Sequence, residues 1–210
     1  MSAVDTVGVG STAVTRALGA AATLLALGGI AAAILLDPTF SWTTDALSDL
    51  GVRDRSALVF NWGLILGGVA GVGYALGLWL SSSERGAVAA VRAAVLALAM
   101  VAMAGVGAFD LTEPLHGPAA IGFYTLITVV FVVDGLARRG TATGRVALAF
   151  VPLHVAVWAT FVAGRWPVSG LALPELPGAL MLAGWAWALG PLPVLGSAAP
   201  RSGGFQTDEH

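Results

Sequence analysis

Ser48 and Asp49 in one polar stretch, and Asp110, Glu113 and His116 in another, make the only dense collection of chemistry-capable side chains in this sequence. A carboxylate can orient a histidine, and the histidine can then activate a serine or a water. Ser48, Asp49, Asp110 and His116 are therefore the candidate catalytic residues. Asp49, Asp110, Glu113 and His116 are the corresponding candidates for a divalent cation, which takes carboxylate and imidazole ligands. The same residue types also cap helices and fix turns. Ser48 and Asp49 suit a helix cap, and Gly51 can supply a tight turn after them.

Other ionisable groups lie inside apolar runs. Arg92 sits five residues into one run and Asp134 three residues before the end of the next. Charges at membrane depth face the bundle interior and pair. Arg92, Asp134 and Arg138 are expected to form a structural ion pair, with Arg138 placed i,i+4 from Asp134. His154 lies mid-run after Pro152, with no second ligand near it in sequence. A core histidine bonded across helices is the simpler reading, with proton transfer the alternative.

The elements that must position these groups are helices in lipid. The chain has 210 residues, 57% hydrophobic and 10% charged, with mean hydropathy +0.86. Soluble domains carry about a quarter charged residues, so this chain cannot cover a water-facing surface. The net charge of -2 gives no reason to expect nucleic acid. With no Cys there is no disulfide and no thiolate metal site. No cofactor is indicated.

Six apolar runs are present: Ala17–Leu36, Ala57–Leu80, Ala87–Phe109, Pro118–Ala137, Val146–Gly164 and Gly178–Leu195. Each is close to the roughly 20 residues that cross a bilayer as a helix. The first is too long for the apolar core of a signal peptide, about 7–15 residues. The expected fold is an all-α, six-span bundle over residues 16–196. A polar tail, 1–15, precedes it and a disordered polar tail, 197–210, follows. Ser81–Gly86, Glu113-Pro114, Arg138–Gly140, and Pro174 with Pro177 mark connections.

Arg16, Arg85, Arg92, Arg138, Arg139, Arg145 and Arg201 fall on one side, and Arg53, Arg55 and Arg165 on the other. The positive-inside rule then places both termini in the cytoplasm of a multi-pass cell-membrane protein. Loops 37–56 and 110–117 face outward, where Ser48/Asp49 should approach Asp110/His116. The second span carries Gly63, Gly67, Gly71, Gly73 and Gly77 in small-xxx-small pairs, which permit close helix approach within the bundle or at a dimer seam.

The motifs LSDLG at Leu47–Gly51, with Asn61 opening the next span, and FDLTEPLHG at Phe109–Gly117 resemble the integral-membrane domain-of-unknown-function family numbered 998. The resemblance covers roughly residues 15–196. A more distant similarity is to the Frag1/DRAM/Sfk1 membrane proteins, matched by Ser48, Asp49 and Gly51 and by His116, with Leu50 in place of their Thr. That group is associated with lipid remodelling, autophagy and lipid-kinase regulation, and the resemblance implies no substrate. Seven-span zinc hydrolases with three histidines fit less well, since His116, His154 and His210 are expected at different depths. Three functions follow: binding of membrane lipid or a membrane partner through the outer loops, a lipid hydrolase or transferase at the Ser/Asp/His cluster, and a transporter. The oligomeric state is not legible.

Overall fold

The computed structural model describes residues 3–81 and 86–196. Ser83 and Arg85 in the second connection, and the polar tail Ser197–His210, lie outside the described residues. Apolar runs with no water to bond their backbone must satisfy it internally, and helices do so within one segment. Among the described residues there are helices and no strands. They are α1 (Ala3–Leu36), α2 (Ala57–Leu80), α3 (Ala87–Ala108), α4 (His116–Ala137), α5 (Ala142–Val162) and α6 (Ala172–Gly184). A 3-10 turn, Leu47–Val52, precedes α2, and a π segment, Trp185–Leu189, continues α6.

Five helices, α1 to α5, are long and apolar enough to cross a membrane. Large apolar side chains such as Leu24, Val69, Ile121 and Val162 point away from the protein. This is a multi-pass membrane protein: in water such a surface would aggregate, and in lipid it is solvated.

Two boundaries differ from the sequence reading. Helix α1 begins at Ala3, so most of the expected N-terminal tail continues the first helix. The last apolar segment begins at Ala172 rather than Gly178, and its α-helical part has 13 residues. Pro174 and Pro177 therefore do not end the preceding connection but lie inside α6. Pro174 falls in the first turn, where its missing N–H has no partner to lose, while Pro177 is the sixth residue and leaves the Leu173 carbonyl without its i→i−4 bond.

Consecutive helices pack antiparallel. The C-termini of α1, α3 and α5 share one end of the bundle with the N-termini of α2, α4 and α6, here called the outer end. Small residues set the spacing. A Cβ on Gly63 would stand 3.0 Å from the Cα of Gly29, so α1 and α2 touch backbone to backbone. A Cβ on Gly68 would stand 2.6 Å from the Met100 carbonyl on α3. The glycines of α2 thus serve packing within one chain. Helix α1 runs along α2 but scarcely touches α6.

Candidate functional site: a polar-capped apolar cavity

The first loop is organised by Arg53. It donates to Asp37 at 2.9 Å and to Asp45 at 2.7 Å. The Thr39 hydroxyl and backbone N–H also donate to Asp37. Bonds from Thr39 and then Arg53 hold the Asp37 carboxyl down at about 2. The next loop is stitched onto this one. Ser169 and Gly170 each donate N–H to the Thr43 carbonyl at 3.0 Å, and Ala172 donates to that of Asp45 at 2.9 Å.

Beneath this cap the LSDLG motif forms the 3-10 turn, a buried plug. Leu47, Ser48, Leu50 and Gly51 are all buried. Asp49 accepts from the Ala46 N–H at 2.7 Å, holding the start of the turn. Ser56 donates to the Leu50 carbonyl at 2.8 Å, and Asn61 of α2 donates to that of Gly51 at 2.9 Å. Gly51 is required for space rather than for a left-handed turn. A Cβ there would stand 2.6 Å from Asn61 Oδ1, and Gly164 is the one described residue with positive φ.

The second motif is likewise held by its own residues. Asp110 accepts from the Thr112 hydroxyl at 2.5 Å and from its N–H at 2.8 Å. These bonds lower the Asp110 carboxyl below its usual range. His116 opens α4 with Nδ1 2.7 Å from the Phe109 carbonyl. A carbonyl only accepts, so Nδ1 carries the proton and Nε2 is left as an acceptor. Glu113 is exposed.

The fold sorts the candidates. Asp49 is engaged by the Ala46 N–H, and Asp110 by the Thr112 N–H and hydroxyl. Among the described residues, no three His, Cys, Asp or Glu side chains converge as a metal set. Ser48 and His116, in contrast, line one partly open cavity together with Glu175 of α6. Each of the three is 7% exposed.

Glu175 accepts from the Leu47 N–H at 2.8 Å, tying α6 to the plug. Sequence alone did not single it out. The available signal was an isolated acid among apolar residues and prolines. Among the described residues, the Ser48 hydroxyl, His116 Nε2 and the second Glu175 oxygen take no hydrogen bond.

The cavity holds about 90 Å³. It runs between α1, α2, α3, α4 and α6. Its walls are apolar, with Ala26, Ile30, Leu64, Met103, Phe123 and Leu182 among them. Its inner end is closed by Tyr74 and Trp185. Tyr74 donates its hydroxyl to the Leu192 carbonyl at 3.0 Å. Trp185 Nε1 donates at 2.7 Å to Asp134, which is fully buried and also accepts from Arg92 at 3.2 Å and from Arg138 Nε at 2.9 Å. His154 lies outside the cavity with both ring nitrogens used. Trp158 Nε1 donates to its Nε2 at 3.1 Å, and Nδ1 lies 2.8 Å from the Thr128 hydroxyl.

Residues 20–191 match the family described as a protein of unknown function, DUF998. The chain belongs to the DUF998 family. No curated protein and no solved structure matches it. In this DUF998 chain the matched region includes both loop motifs and the cavity residues Ser48, His116 and Glu175.

Proposed function

We propose that this DUF998 protein is a six-span membrane protein that binds a membrane lipid. The head and first carbons of one chain enter the cavity at its outer end, beneath loops 37–56 and 110–117, and the rest of the chain lies in the membrane along α1 and α6. The observation that carries this reading is the cavity itself. It is an apolar space of about 90 Å³, bordered by α1 and α6, which hardly touch, and capped by three polar side chains with unused bonding capacity. Bundles pack to near-crystalline density, so a polar-ended space of this kind supports a site for the end of a ligand rather than for a whole one, which takes about 300–1,000 Å³.

The sixth span is α6 with its π segment. It meets the 3-10 turn through Glu175 at the outer end and Asp134 through Trp185 toward the inner end. The arginine distribution supports cytoplasmic termini.

The test is lipid retention. Protein purified in mild detergent is examined by native mass spectrometry beside an Ala26→Phe, Ala179→Phe double variant, which fills the space. The parent is expected to retain or take up single-chain lipid, and the filled variant to lose it while remaining helical by circular dichroism. Equal lipid uptake by both proteins would sink the reading.

A second reading is a lipid hydrolase with Ser48 as nucleophile and His116 Nε2 as base. The His116 tautomer fixed by Phe109 favours it. The absence of a Ser48–His116 hydrogen bond among the described residues ranks it second. Covalent labelling of Ser48 by a fluorophosphonate, abolished in Ser48→Ala, would reverse that order.

A further inference from the structure

The chemistry of the cavity mouth restricts the head of the lipid, granted that the cavity holds one. We infer that the site takes a single-chain lipid headed by an uncharged hydroxyl, such as a monoacylglycerol or a long-chain alcohol, and disfavours phosphate and carboxylate heads. This inference rests on the lipid reading above and adds the ligand class.

The argument begins with what is missing from the lining. No Arg or Lys is among the cavity residues. Of the outer-loop cations, Arg53 is already shared by Asp37 and Asp45, and Arg55 and Arg165 are exposed and outside the lining. Arg92 and Arg138 are committed to Asp134 toward the other end. An anionic head entering here would leave water with no positive partner, and burying an unpaired charge is strongly unfavourable. Glu175 makes this worse when ionised and supplies no cation when protonated.

What is present suits a hydroxyl. The Ser48 hydroxyl can donate one bond. His116 Nε2 and the free Glu175 oxygen can each accept one. A lipid hydroxyl both donates and accepts, so it satisfies groups of both kinds. The volume sets the tail. A space of about 90 Å³ is smaller than the roughly 150 Å³ that takes up benzene, so it admits the head and first carbons of a single chain and not two chains side by side.

The experiment uses four probes that share one oleoyl or oleyl chain: monooleoylglycerol, oleate, oleoyl lysophosphatidate and oleylamine. Binding to the full-length, delipidated protein in detergent is followed by native mass spectrometry and by thermal shift. Monooleoylglycerol is expected to bind about tenfold or more tightly than the two anions, as an unpaired charge at the mouth requires. Ser48→Ala should weaken monooleoylglycerol about fivefold through one lost hydrogen bond. Its melting temperature should stay near that of the parent, because the Ser48 hydroxyl makes no bond to the described protein.

Oleate or lysophosphatidate binding as well as monooleoylglycerol would overturn the inference while leaving the lipid reading intact. Tighter binding of oleylamine would do the same, since it would mark a charge-pairing site at Glu175. An unchanged affinity in Ser48→Ala would show that the head lies elsewhere. If no probe binds, the lipid reading falls and takes this inference with it.

Discussion

Asp134 accepts four hydrogen bonds and is fully buried. Its donors come from three helical segments: Arg92 on α3, Arg138 at the end of α4, and Trp185 on the π segment. A buried charge that loses one partner leaves the others uncompensated, at a cost of about 3–5 kcal/mol. Asp134→Asn should therefore destabilise by about that amount, since two guanidinium groups would lose their anion. Trp185→Phe removes a single donor and should cost about 1–3 kcal/mol. Unfolding in detergent micelles measures both, and an Asp134→Asn variant as stable as the parent would show that the cluster contributes nothing. Arg92 and Asp134 are legible in sequence because a charge inside an apolar run stands out. Trp185 is not, since tryptophan in an apolar run is ordinary. Glu175 hides for another reason: it sits between prolines that read as loop, and only the packing of α6 against the plug buries it.

At the scale of elements, α2 is defined by what its glycines leave out. Gly68 faces the Met100 carbonyl, whereas Gly28 on α1 has nothing within 4 Å of a built Cβ. Gly68→Ala forces a methyl against backbone and should cost about 1–3 kcal/mol, the range of overpacking. Gly28→Ala should be neutral or stabilising, because alanine is the better helix former by up to about 1 kcal/mol. Equal melting temperatures for the two variants would show that the close approach of α2 and α3 is not needed for stability. Glycine spacing in sequence marks α2 as a packing helix without naming its neighbours. Gly63 and Gly67 meet α1 while Gly68 and Gly71 meet α3, a division that helical phase alone leaves open. The start of α6 is hidden in the sequence for a local reason. Proline marks a connection as readily as a first helical turn, and α6 carries Pro174 in its first turn and Pro177 further in.

For the whole molecule, the apolar runs make a helical membrane protein legible because about 20 apolar residues are long enough to span. The cavity is not legible. A void belongs to no residue and arises from the sum of side-chain volumes on five helices. Sidedness can be tested directly, since the chain has no Cys. Single cysteines replacing the exposed Gly140 and Ser169 are expected to lie on opposite faces. In intact cells a membrane-impermeant maleimide should label Ser169→Cys and spare Gly140→Cys. Labelling of Gly140→Cys would overturn the proposed orientation.

The stitching of α6 to both ends of the bundle has a consequence for how the protein is made. Helices α1 to α5 each pack on the one before, so they can assemble pairwise as synthesis proceeds. The last segment is different in kind. It brings Glu175 to a backbone N–H at residue 47 and Trp185 to an aspartate at residue 134, across 128 and 51 positions of chain. Until it arrives, the Leu47 N–H lacks its acceptor, and Asp134 keeps Arg92 and Arg138 but lacks the Trp185 donor. A newly made chain therefore passes through a stage in which the proposed lipid site has only part of its wall, and on that reading the bilayer can fill the site before the last segment docks.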